Sequence, residues 1–364
     1  MAAWNTEKSF GEVRFGNAVL GDRRRTRRLV ALTDQLCRHP GGSLPEKLRS
    51  PKDVKALYRL CNRDEVTHQA LLEAIRPAVL AEAQQHEVVL ILHDGTELDY
   101  STHKSLAGQL GQVGRGHKRG YLCHNSLAVT AEGREVLGLV NQALHHRVQA
   151  PKKESLPQRR ARASRESLLW LRGTQGLPGD RRFVDVADQG SDTFEFLEHE
   201  VHSGRRFVLR AHHARKCTAG HERATKTMPL QELARSWQAW GGRSTDVAAQ
   251  ARRGRRPARR ARHARLLVSA GTLLVHPPHA RHGRHGRQPL PVWVVRVWEP
   301  HPSKGAQPIE WLLLTNEPVK NLADALRVLA WYQTRWVIEE FHKALKTGCA
   351  IEGYRSRTSP DWSR

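Results

Sequence analysis

The spacing of hydrophobic positions separates a helical N-terminal part of the chain from an α/β part. Apolar residues recur at helical spacing in residues 20–36 and again in residues 54–60. The Gly- and Pro-containing sequences HPGG and SLPEK lie between these two stretches. Residues 1–85 are therefore predicted to form a small all-helical domain.

Two buried strands, each followed by an aspartate, are predicted further along. The apolar run Val88–Leu92 leads into a His-Asp-Gly-Thr sequence that contains Asp94, which is typical of a buried strand ended by a turn. The second run, Phe183–Ala187, is followed by Asp188. The sheet is therefore predicted to present two carboxylates at strand ends.

The segments around these strands supply the rest of a sheet. Tyr121–Val129 and Glu135–Leu144 are predicted to form a hairpin, and Ser164–Arg172 a helix. Residues 205–318 are rich in β-prone runs, interrupted at 252–265 and 279–289 by basic sequences that we expect to be exposed loops.

A single long helix is predicted near the C-terminus, over Asn321–Lys346. It has an N-capping Asn321, no internal Gly or Pro, and Gly348 as its stop signal. The whole order of elements predicts an α/β core interrupted by an all-β insertion. The predicted boundaries are 1–85 for the helical domain, 86–204 for the first part of the core, 205–318 for the insertion, 319–353 for the helix that completes the core, and 354–364 for a polar tail.

The charge of the chain indicates a polyanionic partner. The 60 Lys and Arg against 36 Asp and Glu give a net charge of +24. A GC-rich genome also raises arginine content, but here the excess is clustered, as in Arg252–Arg265, which holds eight arginines and no acid. RNA-binding, ribosome-associated and chromatin proteins share this signature, so charge selects nucleic acid as partner without selecting a reaction.

The sequence gives no sign of export or of a structural metal. No apolar run reaches eighteen residues and the N-terminus has no signal pattern, so a cytoplasmic location is expected. The five cysteines are odd in number and form no Cys-x-x-Cys pair, which argues against a disulfide framework and a zinc ribbon.

Four polar residues of the predicted long helix fall on one face: Tyr332, Arg335, Glu339 and Lys346. At about 100° per residue they lie within roughly 60° of one another. Such a stripe is also what a solvated helix face looks like. Apolar neighbours such as Ile338 indicate that the stretch is packed instead.

This stripe and its sequence context resemble a known family. The spacing matches the Y-(2)-R-(3)-E-(6)-K signature of the Tn-five-like group of bacterial insertion-sequence transposases. The resemblance extends to LHDGTELDYS around Asp94, to VADQGSDTFEFL around Asp188, and to RFVLR, WLLLTNEP and LGDRRRTRRL, so it covers almost the whole chain.

The resemblance implies an RNase H-like mixed sheet with flanking helices and an Asp/Asp/Glu catalytic site. Asp94, Asp188 and Glu339 are then the catalytic residues and bind two Mg²⁺ or Mn²⁺ ions. Carboxylates brought together repel one another, so an acid cluster stays ionised mainly when a hard cation lies in it. Each acid taken alone is equally well explained as a turn cap after a strand.

The resemblance also assigns contacts with double-stranded DNA, the transposon ends and the target. Tyr332, Arg335 and Lys346 would hold a phosphate of the transferred-strand end or hairpin intermediate, and Trp311 would stack on a flipped base. Arg210 matches a DNA-contacting position, but His212 stands where relatives carry lysine. The remaining candidate DNA contacts are Trp336, Lys343, Arg23, Arg24 and Arg27.

Members of the group are homodimers on DNA, associated with the bacterial nucleoid, and continue after the signature helix into a helical dimerisation region. Residues 354–364 lack its apolar periodicity, so we expect a C-terminally truncated copy. Two alternatives to a cut-and-paste transposase stay open. One is a truncated member that binds ends or a full-length partner and regulates; the other is an RNase H-like nuclease of another kind.

The basic N-terminal segment yields a first prediction. Arg→Gln changes at Arg23, Arg24 and Arg27 should weaken binding to transposon-end DNA more than to random DNA. Affinity of the unaltered chain should fall with salt at a log–log slope of about −0.9 per neutralised phosphate. Fluorescence anisotropy titrations over a range of salt concentrations measure both quantities. Equal losses on both DNAs would identify the segment as a nonspecific anchor.

Overall fold

The structure is a computed structural model that describes residues 8–106, 108–149, 151, 153–220, 226–251, 258–278 and 285–353. Its backbone contacts divide the chain into two compact units. The first unit is drawn from Met1–Glu154, Arg162–Leu177 and Trp336–Arg364, and the second from Ser155–Ala161 and Pro178–Arg335. The domain boundaries expected from the sequence stay a prediction, and the tail 354–364 lies outside the described residues.

Helices make up most of the described residues before position 84. The α-helices are α1 (Phe10–Phe15), α2 (Arg23–Arg38), α3 (Leu44–Leu48), α4 (Pro51–Cys61), α5 (His68–Ala83), α6 (Leu156–Ala161), α7 (Leu169–Thr174), α8 (Phe194–His202), α9 (Leu230–Arg235), α10 (Leu322–Thr334) and α11 (Trp336–Lys343). Shorter 3-10 helices cover Lys104–Leu106, Glu166–Leu168, Gln189–Ser191 and Ile351–Gly353, and a π-helix covers Ala344–Gly348.

The strands follow from Val89 onward. They are β1 (Val89–Asp99), β2 (Gly111–Gln112), β3 (Arg119–Thr130), β4 (Val136–His145), β5 (Phe183–Ala187), β6 (Arg206–Arg210), β7 (Lys216–Ala219), β8 (Met228–Pro229), β9 (Gly241–Val247), β10 (Arg262–Val275), β11 (Leu290–Trp298) and β12 (Glu310–Thr315). Both units contain helices and sheet, which confirms the predicted α/β class.

The N-terminal helices hold together through two small apolar cores. Leu32, Leu48 and Leu60, from α2, α3 and α4, form one core. Ala18, Leu20 and Ala74 form the other. The side chain of Asp22 accepts a hydrogen bond from the N–H of Arg24 and so begins α2. The spacing of apolar residues placed Leu20 in this helix, but Leu20 lies just before its start.

The sheet of the first unit is antiparallel and is built on β3. β1 pairs with β3 along its full length, from Val89 opposite Thr130 to Asp99 opposite Gly120, and β4 and β2 also pair with β3. The expected turn at residues 93–96 was wrong, because this pairing carries β1 straight through Asp94. At Gly120 a Cβ would lie only 1.7 Å from the carbonyl oxygen of Leu98, so the close approach of these strands needs glycine there.

The second unit has a mixed sheet in the order β5-β6-β12-β11-β10-β7-β8, with β9 also on β10. β5 and β6 are parallel, and the remaining pairs are antiparallel. The prediction of an exposed loop over Arg252–Arg265 was wrong for its last four residues, which are the start of β10. Ala264 is buried there, while residues 252–257 and 279–284 lie outside the described residues.

The predicted long C-terminal helix is interrupted. Asn321 caps α10 as expected, its side chain accepting from the N–H of Asp324, but α10 ends at Thr334 and α11 begins only at Trp336. The π-helix Ala344–Gly348 then follows. No glycine or proline marks these changes, so propensity did not reveal them. Among the helices of the described residues, none is long and apolar enough to cross a membrane.

A buried ionic cluster in the second unit joins Asp185 of β5, Glu200 of α8 and Arg205, which precedes β6. Arg205 Nε donates to Asp185 Oδ2 at 2.5 Å, and Arg205 Nη2 lies 3.8 Å from Glu200 Oε1. All three side chains are almost inaccessible to solvent. Burial, and then the charge of Asp185, raises the pKa of Glu200 well above its ordinary value, while Arg205 opposes the rise.

This cluster predicts the pH dependence of stability. A raised folded-state pKa means that the stabilisation from protonated Glu200 is complete below about 4.5, its ordinary value, and is lost as pH rises through the folded-state value. Each pH unit in which only the folded chain holds the proton costs about 1.4 kcal/mol. Glu200→Gln, which mimics the protonated form, should therefore gain melting temperature relative to the unaltered chain between pH 5 and pH 8.

Calorimetry at several pH values measures this difference. The exposed Glu232 on α9 offers a matched control, Glu232→Gln, for the removal of a surface carboxylate. A difference for Glu200→Gln that stays constant with pH would contradict the prediction.

Candidate functional site

The first predicted acid, Asp94, lies in the middle of β1. It follows five fully buried residues, Val89–His93, and is itself half-buried. Its Oδ1 accepts a hydrogen bond from the N–H of Gly95 at 2.8 Å, and it lies opposite Asn125 of β3. A rigid, fully paired strand thus fixes the position of this carboxylate.

The third predicted acid, Glu339, is exposed on α11 in the same unit. Val337 and Ile338 are buried, at 8% and 0% exposure, and the helix packs against β1. The first unit therefore contains both Asp94 and Glu339, on two elements in direct contact.

A chain of polar side chains secures α11. Asn125 Nδ2 lies 3.0 Å from His342 Nε2, Gln142 Nε2 donates to Asn125 Oδ1 at 2.7 Å, and His68 Nε2 lies 2.9 Å from Gln142 Oε1. With these amide orientations, Asn125 donates to an unprotonated Nε2 of His342. Asn125 lies opposite Asp94 on β3, and His342 follows Glu339 by three positions, so the chain ties α11 to the strand that pairs with the one carrying Asp94.

Buried histidines lie on the neighbouring positions of the same strands. His93 Nδ1 lies 3.0 Å from Ser126 Oγ, and the rings of His93 and His124 are stacked 6.1 Å apart. Burial, together with the nearby His93 and His342, holds the pKa of His124 well below its ordinary value. His124 is therefore a neutral part of the packed interior, with its ring edge-on to Trp170.

The second predicted acid, Asp188, lies in the second unit, directly after β5. Its side chain accepts from the N–H of Gly190 at 2.9 Å and caps the 3-10 helix Gln189–Ser191. Ser191 Oγ in turn donates to the carbonyl oxygen of Asp188 at 2.6 Å. The strand Phe183–Ala187 and the acid at its end were both predicted from the sequence, and both are confirmed as local structure.

Three other predicted DNA-binding residues gather around Tyr332. The indole of Trp311 meets the ring of Tyr332 edge-on with centroids 5.4 Å apart, and the guanidinium of Arg210 lies 5.8 Å from the centroid of Trp311. The guanidinium groups of Arg210 and Arg335 and the carboxylate of Asp188 all lie within electrostatic range of the Tyr332 hydroxyl. The second unit thus brings Tyr332, Arg335, Arg210 and Trp311 to the acid Asp188.

The electrostatics of this cluster keep the phenol neutral. Burial raises the pKa of Tyr332, Asp188 adds to the rise, and Arg210 and Arg335 oppose it. A neutral phenol can donate its proton in a hydrogen bond, and the two guanidinium groups beside it carry fixed positive charge. Such a group of donors suits a phosphate oxygen.

The remaining signature residues lie in the first unit. Lys346 Nζ is 3.4 Å from Glu352 Oε1, and Lys343 Nζ is 3.8 Å from Glu340 Oε2. Trp336 is 48% exposed. The break at Arg335 therefore divides the predicted stripe: Tyr332 and Arg335 belong to one unit, and Glu339 and Lys346 to the other.

The metal site expected from the sequence stays a prediction. Asp94 and Glu339 belong to the first unit and Asp188 to the second. The part of the chain that the structure describes contains no group of three or more His, Cys, Asp and Glu side chains placed to hold a metal ion. The chemistry of the three carboxylates themselves suits Mg²⁺ and Mn²⁺, which prefer oxygen ligands.

The N-terminal arginines differ in their ion pairing. Arg25 pairs with Glu65 at 2.7 Å and Arg28 with Asp53 at 3.5 Å. The other three, Arg23, Arg24 and Arg27, are exposed on the first turns of α2, and no carboxylate of the described residues forms a salt bridge with them. Their positive charges are therefore directed to solvent or to a partner.

Sequence analysis missed Asp192 and Arg215 as contributors to this site. Arg215 Nη2 lies 2.7 Å from Asp192 Oδ1 in a contact that is almost wholly buried. The spacing of four residues between Asp188 and Asp192 was a usable signal for the acid. The identity of Arg215 as its partner depends on tertiary structure and has no local signature.

Comparison with known proteins finds one matching family model, over the N-terminal part of the chain. Residues 7–66 match the family model described as "Transposase DNA-binding", which supports a transposase. Among solved structures, the chain is similar to a piggyBac transposase synaptic complex with hairpin DNA, at 10% sequence identity and a TM-score of 0.32. The alignment covers 87% of this chain and 53% of that chain, so this chain matches about half the length of that structure.

The contact between Asn125 and His342 yields a prediction. Replacing either by alanine removes a hydrogen bond and leaves the other group buried without it, so the two free-energy losses should not add. A double-mutant cycle on the free energy of unfolding should give a coupling of about 0.5–3 kcal/mol. Thr26, which donates to the backbone carbonyl of Ala18, is the control: paired with His342→Ala, its alanine variant should be additive. Additivity for Asn125 would contradict the contact.

Proposed function

We propose that this chain is a cut-and-paste DNA transposase of the Asp/Asp/Glu type. The observation that carries the proposal is the gathering of Tyr332, Arg210 and Arg335 beside Asp188 in a chain whose residues 7–66 match a transposase DNA-binding family. A phenol, two guanidinium groups and a carboxylate together form a site for a phosphodiester that is to be cut. In a protein that only bound DNA, the one role left to Asp188 would be to cap the 3-10 helix Gln189–Ser191.

The proposed chemistry uses Asp94, Asp188 and Glu339 as ligands of two Mg²⁺ or Mn²⁺ ions. When bound, such a pair of ions activates a water or a 3′-hydroxyl and stabilises the leaving oxygen in phosphodiester cleavage and strand transfer. Backbone N–H groups already orient the side chains of Asp94 and Asp188. Glu339 is carried by a helix whose other side is packed, so all three acids have fixed supports.

The cluster around Tyr332 is proposed to hold the DNA end. Arg210 and Arg335 would contact phosphate oxygens through charge-assisted hydrogen bonds, with a further hydrogen bond from Tyr332 and a charge from Lys346. Trp311 would stack on a base flipped out of the duplex, as in a hairpin intermediate. Stacking is worth roughly 1–3 kcal/mol and would offset much of the cost of flipping.

The proposed fold of the catalytic core is RNase H-like. The antiparallel strands β1, β3 and β4, followed along the chain by the parallel pair β5 and β6, support it. The N-terminal helices would grip the transposon end, with Arg23, Arg24 and Arg27 on its phosphates. By the same resemblance, two copies of the chain would act on a pair of ends.

A nicking assay tests this proposal. The substrate is a supercoiled plasmid carrying the DNA that flanks the gene on both sides, incubated with the full chain and Mn²⁺. Loss of a residue that merely orients a metal ligand costs roughly 10–100-fold, so Asp94→Asn, Asp188→Asn and Glu339→Gln should each reduce nicking by more than about a hundredfold. Chelation should abolish it.

The neighbour of Glu339 provides the matched control. Glu340 is exposed on the same helix and pairs only weakly with Lys343, so Glu340→Gln should nick at close to the unaltered rate. If the chain binds the flanking DNA but shows no nicking that depends on the three acids, the proposed cleavage activity is wrong. The alternative of a DNA-binding protein that regulates would then be favoured.

A further inference from the structure

The loops that follow β5 and β6 are joined by one buried carboxylate, that of Asp192. Its Oδ2 accepts hydrogen bonds from the backbone N–H groups of His212 and His213, at 2.6 and 2.7 Å. Its Oδ1 accepts from Nε and Nη2 of Arg215, at 2.9 and 2.7 Å. The side chains of Asp192 and Arg215 are 1% and 9% exposed, so this contact is shielded from water.

These loops carry two residues of the proposed site. β5 and β6 are adjacent parallel strands, with Ala187 opposite Leu209, so their carboxyl ends lie side by side. Asp188 directly follows β5, and Arg210 is the last residue of β6. Asp192 lies four residues after the first and holds the backbone just two and three residues after the second.

We propose that Asp192, through Arg215 and the backbone of residues 212–213, is a positioning residue that fixes Asp188 relative to Arg210. We call the hydrogen bonds of Asp192 to Arg215 and to the backbone of residues 212–213 the clamp. The short segment between Asp188 and Asp192 is held at one end by β5 and at the other by this clamp. Without the clamp, the 3-10 helix Gln189–Ser191 and the loop after Arg210 lose their common anchor. The catalytic role of the clamp rests on the proposed function, whereas its hydrogen bonds are observed independently of that function.

The number of hydrogen bonds that the carboxylate of Asp192 accepts distinguishes its role from that of Asp188. A carboxylate offers about four lone-pair sites, and the four hydrogen bonds of Asp192 use them within the protein. Asp192 is therefore committed to structure. Among the described residues, the carboxylate of Asp188 accepts one hydrogen bond, from the N–H of Gly190, so its other oxygen positions can meet a ligand. Of two acids in one loop, the structure assigns the reacting role to Asp188 and the positioning role to Asp192.

The expected effect follows from geometry. Displacement of a reacting group by about 1 Å costs roughly a hundredfold in rate. Asp192→Asn puts an N–H group where an acceptor is needed and removes the charge that faces Arg215. It should lower kcat for nicking by roughly 10–100-fold, the range seen when a residue that orients a ligand is lost, and leave KM for the plasmid nearly unchanged.

Two readouts, one independent of activity, test the clamp on the full chain. Hydrogen–deuterium exchange of peptides covering residues 188–193 and 206–215 should quicken at least about tenfold in Asp192→Asn, with the β11 peptide unchanged. Asp246→Asn, which removes an exposed carboxylate that contacts His263, should change neither exchange nor kcat. If Asp192→Asn does not fold, Arg215→Lys takes its place, because it keeps the cation and removes the two-pronged contact.

The outcomes distinguish the clamp from the proposed function. Quickened exchange in both peptides together with a lowered kcat supports the clamp. Unchanged exchange, or a kcat equal to that of the unaltered chain while Asp188→Asn is inactive, overturns it. Absence of acid-dependent nicking in the unaltered chain overturns the proposed function instead, and the positioning role with it, whatever the exchange shows.

Discussion

A carboxylate keeps one position in a protein where hydrogen-bond donors hold it. The positions of the candidate site's aspartates depend on such donors. Asp94 takes a hydrogen bond from Gly95 within a fully paired strand, and Asp188 takes one from Gly190 at the start of a 3-10 helix. Asp192 takes four and binds two loops together. The four hydrogen bonds of Asp192 occupy its carboxylate oxygens within the protein, which makes it a support for the loop that carries Asp188.

Positive charge is arranged around these acids in two different ways. Buried or half-buried arginines such as Arg205, Arg215 and Arg262 are paired with carboxylates and stabilise the second unit. The guanidinium groups of Arg210 and Arg335 lie at a neutral phenol, and Arg23, Arg24 and Arg27 on the first turns of α2 face solvent. These five arginines therefore supply positive charge at the places where DNA is proposed to bind.

Sequence reasoning recovered the elements whose signal is local. The strand Phe183–Ala187, the hairpin of β3 and β4 and the cap at Asn321 all follow from runs of apolar residues or from capping preferences. It failed where partner segments decide the structure. β1 runs through Asp94 because β3 pairs with it over eleven positions, which no local pattern encodes.

The residues of the candidate site also divide into those that local sequence patterns predict and those that tertiary packing decides. Spacing alone singled out Tyr332 and Glu339, but it could not show that the helix is interrupted between them at Arg335. It also could not find Arg215 or Gln142, whose contacts bridge residues far apart in the chain. Such partners are set by tertiary packing, and a single sequence carries no trace of them.

The central claim is that Asp94, Asp188 and Glu339 act together on one pair of metal ions. Anomalous diffraction at the manganese edge, from crystals of the chain bound to its flanking DNA and soaked in MnCl₂, tests it most directly. The account predicts two peaks about 3.5–4 Å apart, each bonded to carboxylate oxygens of these three residues. Manganese bound only by other side chains, or only by Asp192, would contradict it.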